Sequence, residues 1–299
     1  MRTLVLAAAL AAASPAAAQQ PDAAPVVAAE RAFAADAPAL GIAGSFNRWS
    51  TPEAIVIAGG RAQRIGEVYP DRPRPADEPL LEWWPNFAGV ARSGDLGFTT
   101  GGVAVGGQRA GHYFTIWKKQ PDGSWKWVYD GGSGASAADV PGPDSEPDIL
   151  PVATKGSESP DKALADVALL EAFLARGALR DQRRAHLLFL APDARLYVAP
   201  LPPAVGEAAF AEALGSWPAT FEFGPTQGGG ASAAGDLVWT YGPAAWTREG
   251  QPRTGHYVRL WQKQADGWAI VLAQLIPAPP SPPAPPAAPA APPPPPAAG

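Results

Sequence analysis

The chain contains no cysteine. That excludes a disulfide framework, a thiolate metal site and a thiol nucleophile together. The three histidines, His112, His186 and His256, are too scattered to form a zinc motif, so no metal site is expected. Charge is scarce as well: charged residues make up 17% of the 299 positions, the formal net charge is -5, and no basic run occurs. Nucleic acid is gripped by clustered Lys and Arg, so such a partner is excluded. No apolar stretch reaches the roughly 20 residues of a membrane-spanning helix.

What is present in quantity is tryptophan, with 11 residues, and proline, with 37. An apolar fraction of 46% supports real cores, and the length suits two domains. Met1–Ala18 reads as a secretory signal: Arg2 supplies the positive start, Leu4–Ala13 the short apolar core, and Ala16-Ala17-Ala18 the small-residue cleavage site. The expected address is the periplasm or the exterior. Residues 21–132 form a first domain and 161–277 a second. The Gly/Pro/Ser/Asp-rich segment 133–160 reads as a flexible linker, and 278–299 as a disordered Pro/Ala tail.

In the first domain, Ala24–Phe46 has a loosely helical period broken at Pro38. Strands follow at Ala54–Ile57, Leu80–Val90, Gly94–Val105, Gly111–Lys119 and Ser124–Asp130, with a turn at Pro121-Asp122-Gly123. In the second, Leu164, Val167, Ala168, Leu170, Leu174 and Leu179 mark a helix over Asp161–Phe189. Strands are expected at Arg195–Val198, Ala219–Phe223, Leu237–Tyr241, Gly255–Lys263 and Trp268–Ile276.

The two halves repeat each other. Phe33 and Phe173, Pro52 and Pro192, and Glu82 and Glu222 each stand 140 positions apart. Gly94-Asp95-Leu96 returns as Gly235-Asp236-Leu237, and Gly111-His112-Tyr113, Trp117 and Asp122-Gly123 return as Gly255-His256-Tyr257, Trp261 and Asp266-Gly267. Spacing this regular marks a duplication, with the offset growing only in loops.

The order of elements, with the GDL turn and the pattern G-x-Y-x-x-x-W-x-x-Q-x-D-G-x-W, resembles the SnoaL-like, nuclear-transport-factor-2-like superfamily. The likeness covers nearly all of residues 25–132 and 161–276 and is greatest to uncharacterised exported bacterial members. It implies an α+β protein of two tandem cone-shaped domains, each a curved antiparallel sheet wrapped around N-terminal helices, with a pocket at the wide end. It also implies pairing through the outer sheet face, either as an intramolecular pseudo-dimer or as a homodimer. The superfamily hosts many activities, so function rests on the site. Its ketosteroid isomerases use an Asp base, a Tyr and a protonated Asp. At the matching places this chain has Ile57-Ala58-Gly59 and Tyr197-Val198-Ala199-Pro200 on the first strands, and Glu30 and Leu170 on the first helices. That constellation is absent from both copies.

Other polar groups are weak candidates for acid–base work. His112 recurs as His256; it is either a general base or a strand-start residue bonded to backbone, and the missing acid partner favours the second. Asp130 ends the last strand of domain 1 and has Ala273 or Gln274 as its counterpart, an asymmetry that suits one active and one degenerate copy; capping a turn is the plainer role. Glu82 lies beside Trp83 and Trp84 on a strand. Asp95 and Asp236 read as turn residues. For ligand binding the candidates are the aromatic residues Trp84, Tyr113, Trp117 and Trp127 in domain 1 and Tyr257 and Trp261 in domain 2, with core packing as the competing role. The resulting expectation is a non-catalytic module for a small apolar or aromatic ligand, without a cofactor. The alternative is a cofactor-free acid–base enzyme, isomerase-, lyase- or hydrolase-like, working in the domain 1 pocket.

Overall fold

The computed structural model describes residues 21–70 and 72–280; segment 1–18, read from the sequence as a secretory signal, and residues 281–299 of the tail lie outside them. Domain 1 opens with helix α1 (Ala24–Trp49), whose buried side carries Val26, Glu30, Phe33, Ala37 and Phe46. The break expected at Pro38 falls instead at Gly41, where φ is 74° and ψ 172°. Glycine alone enters that region without a steric cost, so the kink settles there.

Seven strands build the first sheet: β1 (Ser50–Ala58), β2 (Arg61–Arg64), β3 (Leu81–Val90), β4 (Leu96–Val105), β5 (Gln108–Lys119), β6 (Trp125–Ser133) and β7 (Asp148–Ile149). A single-turn helix, α2 (Ile65–Val68), follows β2. The sheet order is β2-β1-β6-β5-β4-β3-β7. The meander β3–β6 is antiparallel, but β1 runs parallel to β6 and β7 parallel to β3, so the sheet is mixed where the sequence suggested an antiparallel one. Bulges at Pro85/Phe87, Val103/Ala104 and Ile116/Trp117 bend the strands. The bent sheet reaches α1 from β1, β3, β4 and β6. The turn between β5 and β6 forms at Asp122-Gly123, with Gly123 at φ 86° and the Asp122 carboxylate accepting the Ser124 N–H at 2.9 Å.

Domain 2 repeats the plan with α3 (Pro160–Leu187), β8 (Leu190–Tyr197), α4 (Glu207–Gly215), β9 (Glu222–Phe223), β10 (Gly228–Ala231), β11 (Leu237–Arg248), β12 (Gln251–Gln264) and β13 (Gly267–Pro277). The order is β10-β11-β12-β13-β8, with β9 also on β11 and β8 parallel to β13. Ser159 caps α3 by accepting the Lys162 N–H at 3.1 Å, and Pro160 begins it. Its buried stripe is Ala163, Val167, Glu171, Leu174 and Ala178. Leu179, expected inside, is 56% exposed, and so is most of Phe173. Phe33 therefore corresponds to Leu174, and Glu30 to Glu171; the helices match one residue out of step with the first strands.

The two sheets meet through their outer faces. Tyr129 lies 5.4 Å from Trp239 and 5.9 Å from Tyr241, ring centre to ring centre. Thr100 Oγ1 and Tyr197 OH are 3.0 Å apart, and the Arg195 guanidinium sits 4.6 Å from the Phe87 ring. One apolar cluster thus runs from Phe87, Phe98, Phe114 and Ile116 into the body of domain 2. The segment read as a flexible linker is tied to both sides: Leu150 N–H donates to Ala88 O at 2.8 Å, Ser136 N–H to Leu201 O at 3.0 Å, and Gln262 Nε2 to Pro151 O at 2.8 Å.

Candidate functional site

Glu30 stands on the inward face of α1, between Val26 and Phe33, and is wholly buried. Three strands send donors to it. Trp83 Nε1 of β3 donates to one carboxyl oxygen at 2.6 Å; Trp117 Nε1 of β5, at 2.9 Å, and Thr99 Oγ1 of β4 donate to the other. Burial pushes its pKa up to about 7 despite these bonds, which pull the other way.

Beside this group lies a cavity of about 310 Å³. Its walls are mostly apolar, with Phe46, Val56, Tyr69, Leu81, Trp83 and Val103 among them. Asp130 and Tyr113 also line it. Asp130 faces Thr115 across the β5–β6 pair and accepts its hydroxyl hydrogen at 2.8 Å. Burial pushes the Asp130 carboxyl up to about 8; the Thr115 bond lowers it and the nearby Glu30 charge raises it further. Tyr113 is raised well above its ordinary value by burial, and its hydroxyl has no hydrogen-bond partner among the described residues. Tyr69 is pushed up to about 12, by burial first and by the charges of Asp130 and Glu78 after it. At neutral pH the cavity therefore presents a protonated Asp130 and two neutral phenols. Lys and Arg side chains are absent from its lining.

The other sequence candidates are placed elsewhere. His112 borders the cavity but belongs to the outer set with Phe114 and Ile116; its Nδ1 lies 3.2 Å from Ala135 O and its ring 5.2 Å from that of Tyr197. A carbonyl only accepts, so Nδ1 carries the hydrogen, and burial lowers the ring's pKa. Glu82 is exposed on the face of β3 opposite Trp83. Trp84 leaves the cavity too: its Nε1 donates to Pro141 O at 2.7 Å and Arg109 lies over its ring at 5.4 Å, so it holds the inter-domain segment. Trp117 and Trp127 are fully buried in the core and do not reach the cavity surface. Among the described residues, no group of three or more His, Asp or Glu is arranged to hold a metal.

Domain 2 fills the matching position. Arg259 of β12 pairs with Ala273, as Thr115 pairs with Asp130, so the strands fix Ala273 as the Asp130 counterpart. The Arg259 guanidinium is 1% exposed and bonds Glu171 at 2.5 Å. It lies 4.4 Å from the ring of Phe223 and 4.2 Å from that of Tyr257. Thr240 Oγ1 and Trp261 Nε1 donate to the second Glu171 oxygen, at 2.7 and 2.8 Å. Beside this pair Glu171, Phe223 and Tyr257 border a hollow of about 470 Å³ between α3 and the β9 region, whereas Trp261 is fully buried. Buried His186, whose pKa falls to about 3 through burial and the Arg259 charge, has its Nε2 3.5 Å from Arg259. Sequence reasoning missed the roles of Glu30, Glu171 and Arg259. The available signal was a glutamate inside an apolar helical stripe, repeated in both copies.

No family model matches the chain, and no curated protein does. Solved structures do show likeness. The chain is similar to NTF2-like proteins. A ketosteroid isomerase-like protein from Erwinia carotovora atroseptica is 18% identical, with 40% of this chain and 99% of that chain covered and a TM-score of 0.36. An NTF2-like protein of unknown function from Shewanella oneidensis is 15% identical, with 38% and 97% covered and a TM-score of 0.32. A putative aromatic ring hydroxylase from Novosphingobium aromaticivorans is 16% identical, with 41% and 94% covered and a TM-score of 0.35. Likeness at this level concerns the fold alone.

Proposed function

We propose that domain 1 binds a small organic molecule in its cavity and that domain 2, whose matching carboxylate is already paired with Arg259, buttresses it. The observation that carries this reading is the contrast at one position: Arg259 occupies the domain 2 site, and Thr115 leaves the domain 1 site open. A mostly apolar hollow with a few convergent polar groups is the usual form of a ligand site. Trp83 lines the cavity, so its fluorescence reports occupancy. A broad panel of small aromatic compounds should include some that shift the emission of the intact protein and lose that effect in Trp83→Phe. A panel without any shift, checked by calorimetry, ends the reading.

A second reading is a cofactor-free acid–base enzyme with Asp130 as the proton-transferring group. Its support is the placement of that carboxyl at about 8, close to working pH, in a cavity wall. Of the other two candidates, Glu82 is exposed and His112, though it borders the same cavity, has its Nδ1 on Ala135 O. Asp130→Asn separates the two readings: binding with turnover abolished favours the enzyme, whereas binding without turnover in the parent favours the module.

We also infer export. The support is the charged, apolar and small-residue succession of Met1–Ala18. Among the described residues, no helix is long and apolar enough to cross a membrane. Amino-terminal sequencing of the protein recovered outside the cytoplasm should begin at Gln19; a cytoplasmic chain retaining Met1 rejects the address. The same preparation tests the pairing of the two copies, since sedimentation should find a monomer whose outer faces are already covered.

A further inference from the structure

Domain 2 carries its own organic cation. The Arg259 guanidinium is enclosed by the faces of Phe223 and Tyr257 and neutralised by Glu171. Glu30 is the counterpart of Glu171, Trp83 of Phe223 and Tyr113 of Tyr257. Domain 1 therefore keeps the receiving set of one carboxylate and two aromatic faces, and both aromatic residues line its cavity. It lacks the cation, because Thr115 stands where Arg259 does. It has a second carboxyl nearby, because Asp130 stands where Ala273 does. Two differences on one cross-strand pair separate a carboxylate that carries its own cation from a cavity whose wall carries the free acid Asp130.

Burial raises both carboxyls well above the ordinary range, and no basic side chain in the cavity lining offsets Asp130. A buried carboxylate is stable only when paired. The Trp83 and Tyr113 rings present electron-rich faces, which attract cations as the Phe223 and Tyr257 rings attract Arg259. Size narrows the occupant further. A closed cavity of about 150 Å³ holds a benzene ring, so 310 Å³ holds a ring or short alkyl body with a charged arm.

Resting on the reading of domain 1 as a ligand-binding module, we propose that its cavity takes an organic cation, an ammonium or guanidinium on a short aryl or alkyl body, paired with Asp130 and set against Trp83 and Tyr113. Glu30, already held by three donors, positions the two indoles rather than touching the ligand.

The experiment is titration calorimetry of the intact mature protein with three probes of one shape: 2-phenylethylamine, 2-phenylethanol and phenylacetate. The amine should bind about tenfold or more tighter than the alcohol, with phenylacetate weakest. At pH 7 its binding should release close to one proton, seen as a dependence of the heat on the buffer's ionisation enthalpy. Asp130→Asn should bring the amine down to the alcohol's affinity while the alcohol changes less than about threefold. The double variant Thr115→Arg with Asp130→Ala copies the domain 2 plug and should abolish binding of both. An amine no tighter than the alcohol on the parent protein, or a preference that survives Asp130→Asn, overturns the proposal while leaving a neutral-ligand site standing. Binding of the alcohol that the plugged variant retains shows instead that the cavity is not the site and overturns both readings. Failure of all three probes at millimolar concentration overturns the cation proposal, and the wider fluorescence panel then decides the site.

Discussion

Asp95 and Asp236 each hold a turn of the other domain. The Asp95 carboxylate accepts the Ala233 N–H at 3.0 Å, and the Asp236 carboxylate accepts the Arg92 N–H at 2.9 Å. The exchange is what a two-fold related contact looks like: residue i of one copy meets residue j of the other, and the reverse. Each aspartate also receives a nearby hydroxyl, Ser93 for Asp95 and Ser232 for Asp236. The partners differ in burial. Asp236 is 1% exposed, whereas Asp95 is partly open to solvent.

Asp236→Ala is therefore expected to cost about 2–3 kcal/mol, since it strips a charged acceptor from buried donors, and Asp95→Ala about 1 kcal/mol. Urea unfolding of the two single variants checks the ranking. An equal or reversed order would show that the pair is not the clamp described.

Tyr129 is buried between Phe114 on its own sheet and Trp239 and Tyr241 on the other. Tyr129→Ala should lose about 3–5 kcal/mol, in the range for deleting a buried aromatic side chain. Because the contact joins the domains, unfolding followed by near-ultraviolet circular dichroism should turn from one transition into two. A single transition with unchanged midpoint removes the interface from the stability of the molecule.

Arg259→Ala leaves Glu171 charged and unpaired in the core, an expected loss of about 3–5 kcal/mol. Replacing both partners by apolar residues, Glu171→Leu with Arg259→Met, should cost less than the single change. If the double replacement proves the worse of the two, the ion pair is contributing net stability and the plug is more than a neutralised charge.

The carboxyls of domain 1 make stability fall with rising pH. Glu30 sits at about 7 and Asp130 at about 8, above the roughly 4 of an unfolded carboxyl, so the folded state binds more protons over that window. The contribution is full below pH 4 and is lost as pH climbs through the folded values, by up to about 1.4 kcal/mol per unit for each group. Buried His186, held down at about 3, acts oppositely and is lost as pH falls below about 6.5. Between pH 6.5 and 8 only the carboxyls tell, and the unfolding free energy should decline there. Asp130→Asn should flatten that decline; an unchanged slope would place the raised carboxyl elsewhere.

Much of the fold could be read from residue order. The Asp122-Gly123 turn, the strands flanking it and the Pro160-led helix all follow local chemistry, and the structure places them within a few residues of expectation. The helix phase could not be read that way. Matching Phe33 to Phe173 used identity where burial demanded Leu174, and a one-residue error on a helix turns a side chain through about 100°. That error set Glu30 against Leu170 and hid the repeated Glu30–Glu171 pair. The site was legible only in fragments. Asp130 was noticed for its asymmetry, but Thr115 and Arg259, the residues that differ beside the repeated glutamate, carry no local signal. Their effect arises from which strand face meets the helix, and that is fixed by pairing: Thr115 and Trp117, like Arg259 and Trp261, alternate onto the side of the buried glutamate. Short strands such as β7 and β10 also lack a pattern, because backbone pairing alone defines them.

The covalent join between the two copies frees each from the other. In an assembly of two identical chains every substitution is made twice, so an arginine that fills one cone fills both, and a new acid appears in each. Here one copy took Arg259 and Ala273 while the other took Thr115 and Asp130, with the reciprocal turns at Asp95 and Asp236 left intact. Fusion makes the two cones separately inheritable, so a change in one leaves the other as it was.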